Sequence, residues 1–232
     1  MVNFEYYLKT ERSLSQATIN KAIQRFKKPI SIAVAEGFLE KDPFVFHQFK
    51  HVKKEIVFLS PEELLALEQY YFAQPKLQLV QNLFVFSCYT GLPYNELLNL
   101  KHNNIIKGFD GNLWIKMKRE KTSKELSIPL LPKALEILDK YSNEDLVFPR
   151  ISNQKYNSYL KEIADLVGIE KKMTTHMARR TFASTVLLFN DVPMEIVSEL
   201  LGHSSMKITQ DSYGKVVQKK ISLEMNRLKG SK

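Results

Sequence analysis

The sequence predicts a mainly α-helical protein with a small β-hairpin or sheet, and three observations support this fold class. Apolar residues recur at helical spacing between capping residues over most of the chain. Two segments, 112–117 and 125–130, instead alternate between apolar and polar residues, as paired strands do. A short charged stretch at about 48–57 separates two regions, which indicates a linker. We therefore expect a helical domain over 1–50 and an α+β domain over 57–232.

Composition limits the class of protein and its partners. The 232 residues are 44% hydrophobic, which is enough for a substantial core, and 34 Lys and Arg against 25 Asp and Glu give a formal charge of +9. This excess favours a polyanionic partner, although solubility alone would also explain it. Cys88 lies in an apolar run, which predicts a buried, reduced thiol in a cytoplasmic protein. No signal pattern and no apolar run of roughly eighteen residues is present, so we expect no membrane partner.

The first 50 residues predict short basic helices. A helix is expected over 3–9, and a longer one follows capping hydroxyls at 13–18, with Ile19 and Ile23 on its apolar face. Pro29 should kink or break that helix, so a separate helix is expected over 30–36. A basic helical hairpin of this kind either contacts DNA or is an ordinary solvated surface.

The second region predicts several well-delimited helices. Ser60 followed by Pro61 and Glu63 is a helix-capping signature, and an apolar helix over 80–89 should end at Gly91. Beyond the two strands, helices are expected over 132–140 and over 153–167, where Gly168 stops the second one. The apolar positions of these two helices indicate core packing, with no candidate chemistry.

His176 and Arg179 are the first candidate site residues. They lie three apart in a segment that predicts a helix, so their side chains share one face. An imidazole and a guanidinium directed at one point suit a phosphate group.

A sharp corner and a tyrosine follow. A helix over 193–201 is predicted because Pro193 is favourable at a helix start and Gly202 can adopt the left-handed conformation that ends it. His203 therefore lies at the corner. A following helix through Tyr213 would place the phenol two to three turns beyond that corner.

These motifs together resemble the signature of the tyrosine recombinase (phage integrase) family. His176-x-x-Arg179, Leu-Gly-His-Ser-Ser at 201–205 and Tyr213 ten residues after His203 match that signature in residue type, order and spacing. The resemblance implies an α+β catalytic domain over 57–232. It also implies a helical, SAM-like core-binding domain over 1–50 that is truncated at its N-terminus and joined by a flexible linker, so that two lobes close around DNA.

The resemblance, together with the chemistry of phosphodiester cleavage without a metal, assigns a role to each residue. Tyr213 would attack the scissile phosphate to form a 3′-phosphotyrosine, and Arg179 would grip the phosphate through paired N–H groups. His176 would assist proton transfer from the phenol, and His203 would donate to a phosphate oxygen. In the predicted hairpin, Lys121 matches the family's catalytic lysine and would protonate the leaving 5′-oxygen. By itself, a lysine in a polar turn is more simply read as solvated.

One position departs from the family pattern. The segment 90–97 matches Thr-Gly-Leu-x-x-x-Glu-Leu, including Glu96, but Pro93 stands where the family usually carries its first catalytic Arg. In this respect the chain resembles integrases of conjugative elements of the Bacteroides group. Arg119, two residues from Lys121 on the same strand face, is the candidate replacement, and Lys101 is a weaker one. The alternative is that Arg119 contacts only backbone phosphates outside the site.

The partners follow from the resemblance. It implies double-stranded DNA as substrate and a homotetramer on DNA, with no small-molecule substrate and a nucleoid-associated location. We expect no cofactor and no metal, because the five His and one Cys lack ligand spacing. The basic amphipathic tail after Tyr213 either covers its own domain or docks on a neighbouring protomer.

Two other functions stay open from the sequence. The helix, tight turn and helix over 193–213 also fit a helix-turn-helix DNA binder, and Pro93 would suit a recombinase homologue with impaired catalysis. A type IB topoisomerase would use similar Tyr, Arg and Lys chemistry to nick and reclose DNA. A covalent protein–DNA species and a recombinant product would together distinguish the three.

Overall fold

The computed structural model describes residues 2–50, 56–119, 125–141 and 145–230. The chain divides into two compact units, Met1–Glu55 and Ile56–Lys232. Helices dominate the described residues, and their strands form one three-stranded sheet, so the predicted fold class is confirmed. Residues 51–55, within the predicted linker, lie outside the described part. No helix in the described part combines the length and the apolar content that a membrane crossing requires.

The first unit contains helices α1 (Val2–Thr10) and α2 (Gln16–Ala35). The Ser15 side chain accepts a hydrogen bond from the backbone N–H of Thr18, which caps α2 as its hydroxyl predicts. The core of this unit is small and apolar, and consists of Leu8, Ile19, Ile23 and Phe44.

Pro29 was predicted to kink or break the helix, and the break was wrong, since α2 continues through it as one helix of 20 residues. Proline lacks the N–H that would bind the carbonyl of Arg25 one turn earlier. Both residues are exposed, so water can satisfy that carbonyl and the helix survives. The predicted helix over 30–36 is thus the end of α2, and Gly37 follows it with a φ of 80°.

Among the described residues, the second unit contains eight of the helices and all three strands. The helices are α3 (Pro61–Gln69), α4 (Pro75–Thr90), α5 (Tyr94–Leu98), α6 (Pro132–Leu138), α7 (Asn153–Val167), α8 (Thr175–Thr181), α9 (Met194–Leu200) and α10 (Met206–Gly230). Between α8 and α9 the chain continues through a π-helical turn, Phe182–Leu187, and a short 3₁₀ turn, Leu188–Asn190.

Capping explains where several of these helices begin and end. The Ser60 hydroxyl accepts from the Glu63 N–H at 3.2 Å, and the Glu63 carboxylate accepts from the Ser60 N–H at 2.7 Å, so the predicted capping box at α3 is confirmed. Gly91 ends α4 in the left-handed conformation, and Gly168 ends α7 in the same way.

The sheet is antiparallel, in the order β1 (Ile105–Lys107), β2 (Leu113–Lys118), β3 (Glu125–Pro129). Ile115 of β2 pairs with Ile128 of β3, and both side chains are buried against the core. The two strands predicted from alternation are confirmed, whereas β1, with three residues, is too short to show a pattern. The connection between β2 and β3, 120–124, lies outside the described residues.

Helix α4 forms the centre of the main core. Its side chains Leu83, Phe84 and Phe86 are fully buried, and it packs against α3, α6, α7 and α8. Cys88 on this helix is a buried free thiol, as predicted, and burial raises its pKa. Because neighbours surround α4, its sequence is apolar on nearly every side.

A second apolar group, which we call the Tyr213 cluster, is formed by the π-helical and 3₁₀ turns after α8 together with α9 and α10. Its buried members are Phe182, Ala183, Leu187, Leu188, Val197, Leu201, Tyr213 and Val216.

The start of α10 packs against other parts of its own unit. Val216 is buried, and the Lys220 ammonium donates to the carbonyls of Leu188 and Phe189 at 3.1 and 3.0 Å. The tail therefore covers its own unit as far as Lys220, which is one of the two predicted arrangements.

Candidate active site

Helix α8 holds Arg179 in a buried position between two helix ends. The side chain is 5% exposed, and its guanidinium donates to the carbonyl of Gly91 at 2.7 Å and to the carbonyl of Leu201. Gly91 follows α4 and Leu201 follows α9, so both acceptors are carbonyls at helix C-termini, where the partial charge is negative. This environment fixes the planar guanidinium in one orientation.

The position of α8 itself depends on two buried threonines. The backbone N–H of Leu59 donates to the Thr181 hydroxyl at 3.0 Å, and the Thr185 hydroxyl donates to the Leu59 carbonyl. These bonds join α8 and the following π-helical turn to the strand-like segment that precedes α3. Arg179, two residues from Thr181, is thereby held in a rigid frame.

Arg179 stays charged despite its burial. Burial lowers its pKa to about 10, and the nearby positive charge of Arg119 contributes to the decrease. A pKa of about 10 still leaves the group protonated at neutral pH. The site therefore contains a fixed cation that is only partly compensated by its surroundings.

His176 lies one turn before Arg179 and faces a cleft of about 550 Å³. The same cleft is lined by Pro93, Glu96 and Arg119. Burial lowers the pKa of His176 from its ordinary value of 6.5, and the charges of Arg180 and Arg179 lower it further. The imidazole is thus neutral at neutral pH and can accept a proton.

The predicted corner before His203 is confirmed. Leu201 is the C-cap of α9, and Gly202 follows with a φ of 59°. The His203 Nδ1 atom lies 2.7 Å from the hydroxyl of Thr209, which is fully buried on the first turns of α10. This hydrogen bond fixes the orientation of the imidazole ring.

Tyr213 lies on α10 within the apolar cluster named after it, and is 5% exposed. Burial raises the pKa of its phenol, while the charges of Arg179 and Arg180 act in the opposite direction. A phenol in this environment holds its proton firmly. Nucleophilic attack would therefore need a base to take that proton as the bond forms.

Arg119 and Glu96 form a buried ion pair beside Pro93. The Arg119 Nε atom lies 3.7 Å from a carboxylate oxygen of Glu96, and the two side chains are 12% and 6% exposed. Arg119 also donates to the carbonyl of Gly202 at 2.9 Å. Pro93 is the N-cap residue of α5 and has no group that could donate to an anion.

The structure therefore brings most predicted site residues into one region of the second unit. Arg119 and His176 line one cleft, and Arg179, Arg119 and the corner before His203 meet at the backbone of Leu201. Lys121 lies outside the described residues. In the part of the chain that the structure describes, no group of three His, Cys, Asp or Glu side chains could hold a metal ion.

Sequence reasoning missed the groups that orient these side chains. Thr209 is a polar residue without a recognisable motif, and only its place six residues after His203 hints at a contact across the corner. The carbonyls of Gly91, Leu201 and Gly202 carry no side-chain signal at all. Gly91 and Gly202 were the available indication in the sequence, because a glycine of this kind marks the end of a helix, where free carbonyls lie.

The chemistry available here is phosphate binding and proton transfer. A guanidinium can donate to phosphate oxygens, a neutral imidazole can accept a proton, and a phenol can act as a nucleophile. This set needs no cofactor.

Comparisons with known families cover nearly the whole chain. Residues 57–219 match the phage integrase family, and residues 1–52 match the phage integrase SAM-like domain. The first match alone spans more than half of the chain.

Individual proteins give the same result. A tyrosine recombinase XerC of Listeria monocytogenes is 26% identical over 222 residues, which cover 86% of this chain and 72% of the relative. A tyrosine recombinase of Agathobacter rectalis is 27% identical over 238 residues, covering 97% and 72%. The XerH site-specific recombinase, solved as a post-cleavage complex with a palindromic difH substrate, is similar in fold, with a TM-score of 0.73, 20% identity and coverage of 96% and 71%.

Proposed function

The chain belongs to the phage integrase family and is a site-specific tyrosine recombinase, and we propose that Tyr213 is the nucleophile with which it cuts DNA. The phenol oxygen attacks the scissile phosphorus, and the bond from phosphorus to the 5′-oxygen breaks. The product is a 3′-phosphotyrosine with a free 5′-hydroxyl. Because the phosphodiester energy is conserved, a 5′-hydroxyl from another strand can reverse the step and join the new ends.

The other residues supply charge and protons. Arg179 binds the phosphate through the paired N–H groups of its guanidinium, and His203 donates to a phosphate oxygen. Neutral His176 accepts the proton from the Tyr213 phenol as the bond to phosphorus forms. Lys121, from its place in the family pattern, gives a proton to the leaving 5′-oxygen.

One observation carries this assignment: Leu201 links Arg179 to the cluster that contains Tyr213, and the charge of Arg179 acts on the Tyr213 phenol. The Leu201 carbonyl accepts from the Arg179 guanidinium, and the Leu201 side chain packs in the Tyr213 cluster. His203 follows two residues later. The phosphate-binding cation, the corner histidine and the nucleophile are thus connected through a single residue.

The protein binds DNA, and its basic excess is consistent with phosphate contacts. We assign residues 1–50 to a core-binding domain and 57–232 to the catalytic domain. Exchange between two duplexes needs four active sites, so a homotetramer on DNA is part of the proposal. The integrases that lack the first catalytic Arg are proposed as the relevant subgroup, because Pro93 occupies that position.

The test is a covalent-trapping experiment. A binding duplex is first selected from a random DNA library with the purified chain and is then nicked near the cleavage point so that the covalent intermediate accumulates. Tyr213→Phe should form no adduct on a denaturing gel and should bind the duplex as tightly as the parent, since only the hydroxyl is removed. Tyr71→Phe, at an exposed tyrosine, is the matched control and should react like the parent.

Two outcomes would contradict the proposal. An adduct that persists in Tyr213→Phe would move the nucleophile elsewhere, and binding without any adduct in the parent would indicate an impaired homologue. With an intact pair of sites, the parent should also give a recombinant product, whereas relaxed circles without a recombinant would point to a topoisomerase.

A further inference from the structure

Position 93 leaves the active site without a cation that the family pattern places there. Pro93 is the N-cap residue of α5, lines the cleft beside His176 and offers no hydrogen-bond donor to a phosphate. In the transition state for phosphoryl transfer, charge on the non-bridging oxygens must be stabilised by donors that are already in position. With Pro93 at this position, Arg179 would be the only guanidinium that the family pattern supplies to that phosphate, with His203 as the other proposed donor.

Arg119 reaches the same cleft from a different element. It directly follows β2, its side chain is 12% exposed, and it lines the cleft together with Pro93 and His176. Its Nη1 atom lies 2.9 Å from the Gly202 carbonyl and 3.3 Å from the Leu201 carbonyl. The Leu201 carbonyl also accepts from Arg179, so two guanidinium groups share one acceptor and lie side by side.

The charges around this pair are unbalanced. Glu96 is the carboxylate that faces Arg119, and it is itself buried. The Arg119 Nε lies at ion-pair distance from Glu96 but makes no hydrogen bond, although that atom is buried. A buried Arg179 and a largely buried Arg119 beside one carboxylate favour the entry of an anion, since a charge removed from water without a partner is costly.

We propose that Arg119 binds the scissile phosphate beside Arg179, supplying from the end of β2 the guanidinium that position 93 lacks, with Glu96 as its positioning residue. This inference rests on the proposed function of the site. It differs from the family pattern in the element that delivers the cation, because a strand replaces the start of α5.

The other candidate replacement is excluded by its location. Lys101 forms an ion pair with Asp145 at 3.1 Å, and its side chain is 48% exposed. It does not line the cleft that holds Pro93 and His176. The remaining rival is a purely structural Arg119, which would hold the carbonyls of the corner before His203 and would not contact the phosphate.

The first experiment measures single-turnover adduct formation at saturating nicked duplex. Arg119→Ala should slow adduct formation about 10²–10³-fold, the loss expected for one oxyanion donor, while DNA affinity changes little. Arg119→Lys should recover part of the rate, because lysine keeps the positive charge but lacks the paired N–H donors of a guanidinium. Lys118→Ala is the matched control, since Lys118 is the exposed neighbour at the end of β2, and it should react like the parent.

The second experiment separates phosphate binding from a structural role. In a duplex whose scissile phosphate carries a methyl group in place of one non-bridging oxygen, the phosphate is uncharged. The defect of Arg119→Ala should then shrink to less than about tenfold, because there is less charge for the guanidinium to stabilise. A structural defect would be equally large on both duplexes, and that result would overturn the proposal.

Variants at position 93 complete the test. Pro93→Arg in the Arg119→Ala background should restore part of the rate, whereas Pro93→Arg in the parent should add little. Suppose instead that Pro93→Arg strongly raises the rate of the parent and that Arg119→Ala reacts as fast as the parent. The site would then lack a second phosphate-binding arginine, and Arg119 would not replace it. If the parent forms an adduct that depends on Tyr213 and Arg119→Ala reacts as fast as the parent, only the assignment of Arg119 is wrong. If no adduct depends on Tyr213, the proposed function is wrong as well.

Discussion

The two sides of the proposed active site lie in opposite kinds of environment. On the arginine side, Arg179 is held by backbone carbonyls at the ends of α4 and α9. On the tyrosine side, Tyr213 is packed among apolar side chains, and burial raises the pKa of its phenol. Both groups are 5% exposed, so burial alone does not distinguish them.

This difference indicates which group is already arranged for the reaction before DNA binds. Carbonyls at helix ends stabilise a cation without neutralising it, so the arginine side is ready for an anion before DNA arrives. An apolar cluster stabilises the neutral phenol, so the tyrosine side is stable but unreactive until a base and a phosphate are present. The arginine side should therefore determine the rate, and the tyrosine side should determine whether any adduct forms.

After the complete loss predicted for Tyr213→Phe, the largest effect is expected from Arg179→Lys. Lysine cannot donate to the carbonyls of Gly91 and Leu201 and also grip a phosphate through a planar fork, so adduct formation should slow about 10²–10³-fold. Single-turnover trapping measures this directly. Arg180→Lys, at the adjacent and less buried arginine, is the control, and equal losses in the two variants would break the comparison.

An intermediate effect is expected at His176, and it should depend on pH. Since burial lowers its pKa, the imidazole stays neutral until the pH falls below 6.5, and the parent rate should drop only below that value. His176→Gln should lose this acid limb and should be about 10²-fold slower near neutral pH, because no base takes the phenol proton. His102→Gln, at an exposed histidine, should keep the parent profile. An unchanged acid limb in His176→Gln would assign the base elsewhere.

The smallest effect concerns the attachment of the tyrosine helix. Lys220→Met should lower the free energy of unfolding by about 1–2 kcal/mol, because the carbonyls of Leu188 and Phe189 lose a charged donor. Chemical denaturation measures the change, and Lys207→Met, at an exposed lysine on the same helix, is the control. If both variants were equally stable, the contacts of Lys220 would contribute nothing to holding α10.

Much of the local structure was predictable because local rules decide it. Ser60, Pro61 and Glu63 specify a helix start through hydrogen bonds within one turn, and Gly91 and Gly168 end helices by adopting a conformation that other residues avoid. Pro29 shows the limit of these rules. Its cost to α2 depended on whether Arg25 faced water, and the sequence alone does not state that.

The candidate site divides in the same way. Sequence by itself determined the spacing of His176, Arg179, His203 and Tyr213, since neighbouring helices and one tight turn fix that spacing locally. Only the tertiary structure decided that Arg119 meets the carbonyls of residues 82 and 83 positions further along the chain. Backbone carbonyls have no side-chain signature, and their partners depend on how β3 packs against α9 and brings Arg119, just after β2, to the carbonyls that follow α9. The sequence shows that position 93 lacks the arginine of the family pattern. That Arg119 lies beside this position is known only from the folded structure.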